Sequence, residues 1–259
     1  NVNFDGKGYN GYAIETRGAQ YLTIEDCTAK NYGYGFVQLA SATVLTTVKD
    51  VTISNMNYGI KVDYSGAVVL ENVDITANVA AVLNSNYGSK TITIKNSKLS
   101  ILGTWKRNDT IKTTYVFEGD NTIGQFITDA AIDTFKLAVG ATLTAPNDIT
   151  ATATKAGYSV KYADGKYFVV ANNVQVLDAE GNVVGTYATL AEALNAATAG
   201  QTIKFLADIT EDVTVTKSVT IDGAGKTYTG AMTLKADTTI VSVGYVPTPA
   251  FVKGKHVHV

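Results

Sequence analysis

The chain has 259 residues, 46% hydrophobic and 17% charged, with a net charge of −2. That is a folded composition, enough for one long domain or two ordinary ones, and it excludes a disordered chain. The 21 basic residues form no dense run, which argues against nucleic acid or an anionic membrane as partner. Cys27 is the only cysteine, and no apolar run reaches the roughly 20 residues of a membrane span.

The first residues, Val2-Asn3-Phe4-Asp5-Gly6-Lys7-Gly8, read as a strand running into an Asp-Gly corner. The same reading returns at Val219-Thr220-Ile221-Asp222-Gly223-Ala224-Gly225. Strand pattern follows both, so the Gly-x-Gly is a corner and not a phosphate loop, which needs a helix behind it.

Between residues 12 and 100 one pattern recurs. Leu22-Thr23-Ile24-Glu25-Asp26, Val51-Thr52-Ile53-Ser54-Asn55, Val68-Val69-Leu70-Glu71-Asn72 and Ile92-Thr93-Ile94-Lys95-Asn96 each alternate, but for Val69 in a polar slot, and end on Asn or Asp. A second strand lies between them, with Ile14, Phe36, Ile60 and Val82 spaced 22, 24 and 22. A unit of about two dozen residues that cannot bury its own apolar face is the signature of a parallel β-helix, whose stacked coils share one core. Asp26, Asn55, Asn72 and Asn96 then fall at corners, where Asn and Asp tolerate left-handed backbone and stack as an axial ladder. Cys27 has strand-like flanks and reads as a buried, inert thiol.

After Ile101 the rhythm loosens. Trp105-Lys106-Arg107-Asn108-Asp109 reads as a loop, Lys112–Glu118 as a strand, and residues 122–170 as strands of mixed length. Ala163-Asp164-Gly165-Lys166 carries the Asp-Gly hairpin signal. Residues 1–171 are therefore β-helix coils with closing strands. A boundary falls at Asn172-Asn173, and residues 172–259 hold a hairpin, one helix, opening coils of a second β-helix segment and an extended tail. The helix has Thr189 as N-cap, Glu192 as capping-box partner and Gly200 at its end, with Leu190, Leu194 and Ala197 on one face. A short amphipathic helix of this kind plugs the open end of a solenoid.

Tyr187-Ala188-Thr189-Leu190-Ala191-Glu192-Ala193-Leu194, then Gly200–Ile209, then Thr220-Ile221-Asp222-Gly223 resembles the opening of pectate-lyase-like right-handed β-helix modules of bacterial adhesin-like surface proteins. Gly157–Tyr167 is similar to the closing segment of such modules. The resemblance implies an all-β, right-handed parallel β-helix with one capping α-helix, at the cell surface or outside the cell. It places the closing signature ahead of the opening one. Val257 and Val259 alternate in phase with Val2 and Phe4 when Asn1 is set after Val259. Either the chain is cut from a tandem array, or its C-terminal part completes the β-helix begun at Asn1 of a second copy, a head-to-tail contact.

The expected function is a non-catalytic structural or adhesive protein, with itself as partner and no cofactor. The alternative is a polysaccharide lyase-like enzyme or glycan-binding module. Such a lyase needs clustered Asp and a basic residue; Arg17 and Arg107 are the only arginines, and Glu25-Asp26 is the nearest acidic pair. Tyr9, Tyr12, Tyr32, Tyr34, Tyr58 and Tyr87 either stack on sugars or cover Gly corners, the latter being favoured. His256 and His258, two residues apart on the tail, make at most a weak metal pair.

Overall fold

The computed structural model describes residues 2–17, 21–40, 45–64, 66–85, 89–105, 112–127, 133–147, 149–245 and 257–258. They form a right-handed parallel β-helix with one short helix. Contacts divide the chain into two compact units, Asn1–Ala156 with Val160–Val169, and Gly157–Ser159 with Val170–Val259.

Unit 1 starts with β1 (Val2–Asp5) and β2 (Tyr12–Glu15). Each later coil repeats the course: β3 (Tyr21–Lys30) and β4 (Gly35–Leu39), then β5 (Leu45–Ser54) and β6 (Tyr58–Val62). Next come β7 (Ala67–Glu71), β8 (Asp74–Ile75) and β9 (Ala80–Asn84), followed by β10 (Lys90–Lys95) and β11 (Lys98–Thr104). The last coils hold β12 (Thr113–Glu118), β13 (Asp120–Ile127), β14 (Asp133–Leu137), β15 (Thr142–Thr144) and β16 (Ala151–Ala153).

Three parallel walls result. One stacks β1 on the second half of β3, then on that of β5, then β8. A second stacks β2, β4, β6 and β9. The third stacks the first halves of β3 and β5, then β7, β10, β12, β14 and β16. Alternation sends Val51, Ile53, Val68, Leu70, Ile92 and Ile94 inward, where each is essentially inaccessible to water. The register corrects one alignment: Ile14 lies opposite Val37, which lies opposite Ile60, so Phe36 belongs one place earlier in that column. In the register it falls beside Gly59, where an added Cβ would run into the Ala81 carbonyl and the Ile75 side chain.

A hairpin ends unit 1. β17 (Tyr158–Ala163) and β18 (Lys166–Ala171) flank Asp164 and Gly165, both at positive φ. β18 runs antiparallel to β15, so the parallel ladder stops there. The buried Tyr167 hydroxyl donates to the Pro146 and Ile149 carbonyls, each at 3.2 Å.

Unit 2 opens with the antiparallel pair β19 (Val174–Leu177) and β20 (Val183–Tyr187), followed by α1 (Leu190–Ala196). Its coils hold β21 (Thr202–Phe205), β22 (Ile209–Thr210), β23 (Val213–Val215), β24 (Val219–Asp222), β25 (Thr227–Thr229), β26 (Met232–Leu234), β27 (Thr238–Val241), β28 (Gly244–Tyr245) and β29 (Val257–His258). Three parallel walls again form: β21-β24-β27-β29, β22-β25-β28 and β23-β26. The helix seals the first coil, with Leu190, Ala193 and Leu194 buried in a core of Ile203, Phe205, Val215 and Ile221. It ends on Ala197, earlier than Gly200, whose amide instead bonds the Ser218 carbonyl of the next coil.

Candidate functional site

The corners come first, because they carry most of the polar side chains. Two columns run along unit 1. In one, Asp26, Asp50, Asn72 and Asn96 take φ of 52°, 53°, 53° and 48°. Each is a single left-handed residue that turns the chain between two walls, a geometry Asn and Asp adopt most readily after glycine. Asn72 Nδ2 donates to Asp50 Oδ1 at 3.0 Å, and Asn96 Oδ1 accepts from the Asp120 amide at 3.0 Å. Asn55 does not belong with Asp26, Asn72 and Asn96. Its amide donates to Asn31, whose own amide donates to Asp5 Oδ1 at 3.0 Å, so it stands in the second column. The cause is that β3 and β5 are ten-residue strands bent at Asp26 and Asp50. Each contains two similar alternating stretches, and aligning the second of β5 with the first of β3 shifts the column. The Asn31 amide and the Lys7 N–H hold the Asp5 carboxyl below its ordinary range.

The tyrosines cover glycines. The Tyr32 ring lies against Gly6, Tyr9 against Gly11 and Tyr12 against Gly35, each within 3 Å of where a Cβ would stand. Tyr12, Tyr34 and Tyr58 then pack on one another along the axis, with centroids 5.3 and 5.9 Å apart. They meet one another tilted and edge-on, and Tyr34 remains exposed. Tyr87 lies outside the described residues. Beside this column, Lys7, Asn31, Asn55, Asn57 and Asn78 line an open groove of about 450 Å³.

A buried polar group was not legible in the sequence. Asp63 and Lys90 are 4% and 5% exposed. Gln38 Nε2 donates to Asp63 Oδ2 at 2.8 Å, Lys61 Nζ lies 3.4 Å from the same oxygen, and Lys90 Nζ donates to the Asp63 carbonyl at 2.9 Å. Burial pulls the Lys90 ammonium down to about 8, partly offset by Asp63.

Hydrolytic or lyase equipment is sparse among the described residues. Arg17 is largely exposed and pairs with Glu15 Oε1 at 2.9 Å. Glu25 lies in the strand register opposite Lys49, while Asp26 serves its corner. No three His, Cys, Asp or Glu side chains among the described residues gather as a metal site. Arg107 and His256 lie outside the described residues, and the backbone of His258 pairs with Thr239. Cys27 is buried, which together with Asp26 raises its thiol above the ordinary value.

The helix cap has one part the local sequence could not reveal. Thr189 Oγ1 accepts from the Glu192 amide at 3.1 Å, and Glu192 Oε2 accepts from Ala188 at 3.3 Å. Glu211, from the next coil, accepts from the Leu190 and Ala191 amides at 2.9 and 3.1 Å. Lys217 Nζ donates to the Leu194, Asn195 and Ala197 carbonyls at the other end. Opposite charges thus complement both ends of the helix.

Unit 1 is closed after its last coil and unit 2 before its first coil. Among the described residues, β1 is paired on one side only, by β3. Val2 is 58% exposed and Phe4 partly buried, its ring 5.3 Å from Phe36. In unit 2, β26, β28 and β29 are the last described rungs of their walls. Val257 lies opposite Thr238, which lies opposite Val219, and Val219 matches Val2 ahead of the shared Asp-Gly corner. Val257 and Val2 hold the same place on their rungs, so an end-to-end join of Val259 to Asn1 does not continue a single rung. Asn1 and Val259 themselves lie outside the described residues.

A family model described as a right-handed beta helix region matches residues 1–104. No curated protein and no solved structure was found to match the chain. No helix among the described residues is long and apolar enough to cross a membrane.

Proposed function

We propose that the chain is a non-catalytic structural or adhesive β-helix of the cell exterior, built to join head to tail with another copy of itself. The observation that carries this reading is the placement of the caps. Unit 1 is finished by the β17–β18 hairpin and unit 2 is begun by the hairpin and helix, while among the described residues the remaining ends present parallel strand edges. Unpaired edges over an apolar core are costly and invite strand addition. A surface rich in Thr, Asn and Tyr, with polar corner side chains occupied by one another, suits a shaft better than a catalytic groove.

Electron microscopy of the purified chain tests the reading: end-joined rods or fibres are expected. Release of unsaturated product from pectin or other polyuronates, followed by absorbance, would replace it with the lyase-like alternative.

A further inference from the structure

The Asp-Gly-x-Gly corner occurs twice with the same bonds. The Lys7 amide donates to Asp5 Oδ1 at 3.1 Å, and the Ala224 amide to Asp222 Oδ1 at 2.9 Å. Gly8 donates to the Asn31 carbonyl at 2.9 Å, and Gly225 to that of Ser242 at 2.8 Å. Gly33 donates to Tyr9 at 2.8 Å, and Gly244 to Lys226 at 2.9 Å. Lys7 and Ala224 take φ of 47° and 49°, Asn31 and Ser242 of 63° and 52°. The corner after β1 and the corner after β24 are thus one structure made twice.

The second copy of that corner follows a strand that is flanked on both sides. β24 is flanked on both sides by parallel strands, with Ile203 opposite Ile221 and Ile221 opposite Ile240. Among the described residues, β1 has a flanking strand on one side alone. At the far end of unit 2, the outer edge of β27 is met by β29 across only two residue pairs, Thr238 with Val257 and Thr239 with His258. β28, in the next wall, has no later described strand on it. If β29 of one copy stacked on β1 of another, the wall of β28 would fall one rung short of β2. The described strands of the two walls would then be out of step by one rung, about 4.8 Å.

We propose that β29 is a placeholder, and that β1 of a second copy displaces it from β27; the inference rests on the head-to-tail reading above. In the column register, Val2, Asn3, Phe4 and Asp5 of the incoming chain lie opposite Thr238, Thr239, Ile240 and Val241. Four residue pairs replace two, Phe4 meets Ile240 as Ile221 does, and β2 follows onto the edge of β28 without a missing rung. The recognition chemistry is that of parallel strand addition, with backbone bonds for affinity and the inward Val2 and Phe4 for register.

The test uses full chains carrying Cys27→Ser. A chain with Asn3→Cys is mixed with a chain with Thr239→Cys and oxidised, and in parallel with a chain with His258→Cys. Replacement predicts a covalent dimer through positions 3 and 239 and little through 3 and 258. It also predicts that removing residues 257–259 tightens association about tenfold, because the competing strand is gone. A dimer through 3 and 258, weakened by that truncation, overturns the replacement and leaves head-to-tail stacking. No association in any chain overturns the head-to-tail reading itself, and the replacement with it.

Discussion

In unit 1 the corners are single left-handed residues whose side chains bond the neighbouring coil, Asn72 to Asp50 and Asn31 to Asp5. In unit 2 the first coil is instead closed by a helix whose two ends are met by Glu211 and Lys217 from the coil beyond. The coils differ in size as well, 24 residues from Tyr21 to Leu45 but 18 from Thr202 to Thr220. A solenoid in which every corner depends on the next coil is self-consistent in its middle and deficient at its ends. A purpose-built cap removes the deficiency at one end of unit 2, and the closing hairpin removes it at one end of unit 1. The ends that carry no cap among the described residues are where the proposed interaction is expected.

This contrast can be broken experimentally, because each unit has its own core. Phe36→Ala empties a fully buried site in unit 1 and is expected to cost about 3–5 kcal/mol. Calorimetry should show the transition of unit 1 falling while that of unit 2 holds; a joint shift would mean that the two melt as one.

Next in size is a pH effect confined to unit 1. The Lys90 ammonium titrates at about 8 in the folded chain, against an ordinary value of 10.5. Between the two, the unfolded chain keeps a proton that the folded chain has released, so stability rises with pH from about 8 upward. The gain is roughly 2–3 kcal/mol by about pH 10, where buried tyrosines such as Tyr115, held above their ordinary value by burial, begin to act the other way. Urea titrations across this range should show the rise, and Lys90→Met should flatten it.

Glu211→Ala leaves two helix amides without their carboxylate and is expected to cost unit 2 about 1–2 kcal/mol. Amide exchange at Leu190 and Ala191 should quicken while unit 1 is unaffected. Smallest is Asn72→Ala, at about 1 kcal/mol for the left-handed residue and the lost bond. Asn72→Gly should recover part of that, since it relieves the backbone alone; equal losses would assign the whole cost to the ladder bond.

The coil repeat, the duplicated Asp-Gly corner and the Thr189–Glu192 cap were legible because each is a local pattern of strand alternation, turn chemistry or capping. The column of Asn55 was not, because Val51–Asn55 and Thr47–Asp50 with its neighbours both read as alternation, and only the ladder decides between them. Glu211, Lys217 and the Asp63–Lys90 group were illegible for another reason. Their partners lie about one coil away in sequence, and no periodicity marks a polar residue whose role is set by the coil stacked on it. Trp105 begins a loop in the sequence reading, but Arg107 and the residues around it lie outside the described ones.

The central claim is that the two uncapped ends recognise each other. Sedimentation velocity of the full chain over a hundredfold range of concentration tests it most directly. The account predicts a weight-average coefficient that climbs with concentration toward extended oligomers, and a chain with residues 172–218 duplicated ahead of Val2 that stays monomeric. A single sharp monomer boundary at every concentration, unchanged by the added cap, would contradict it.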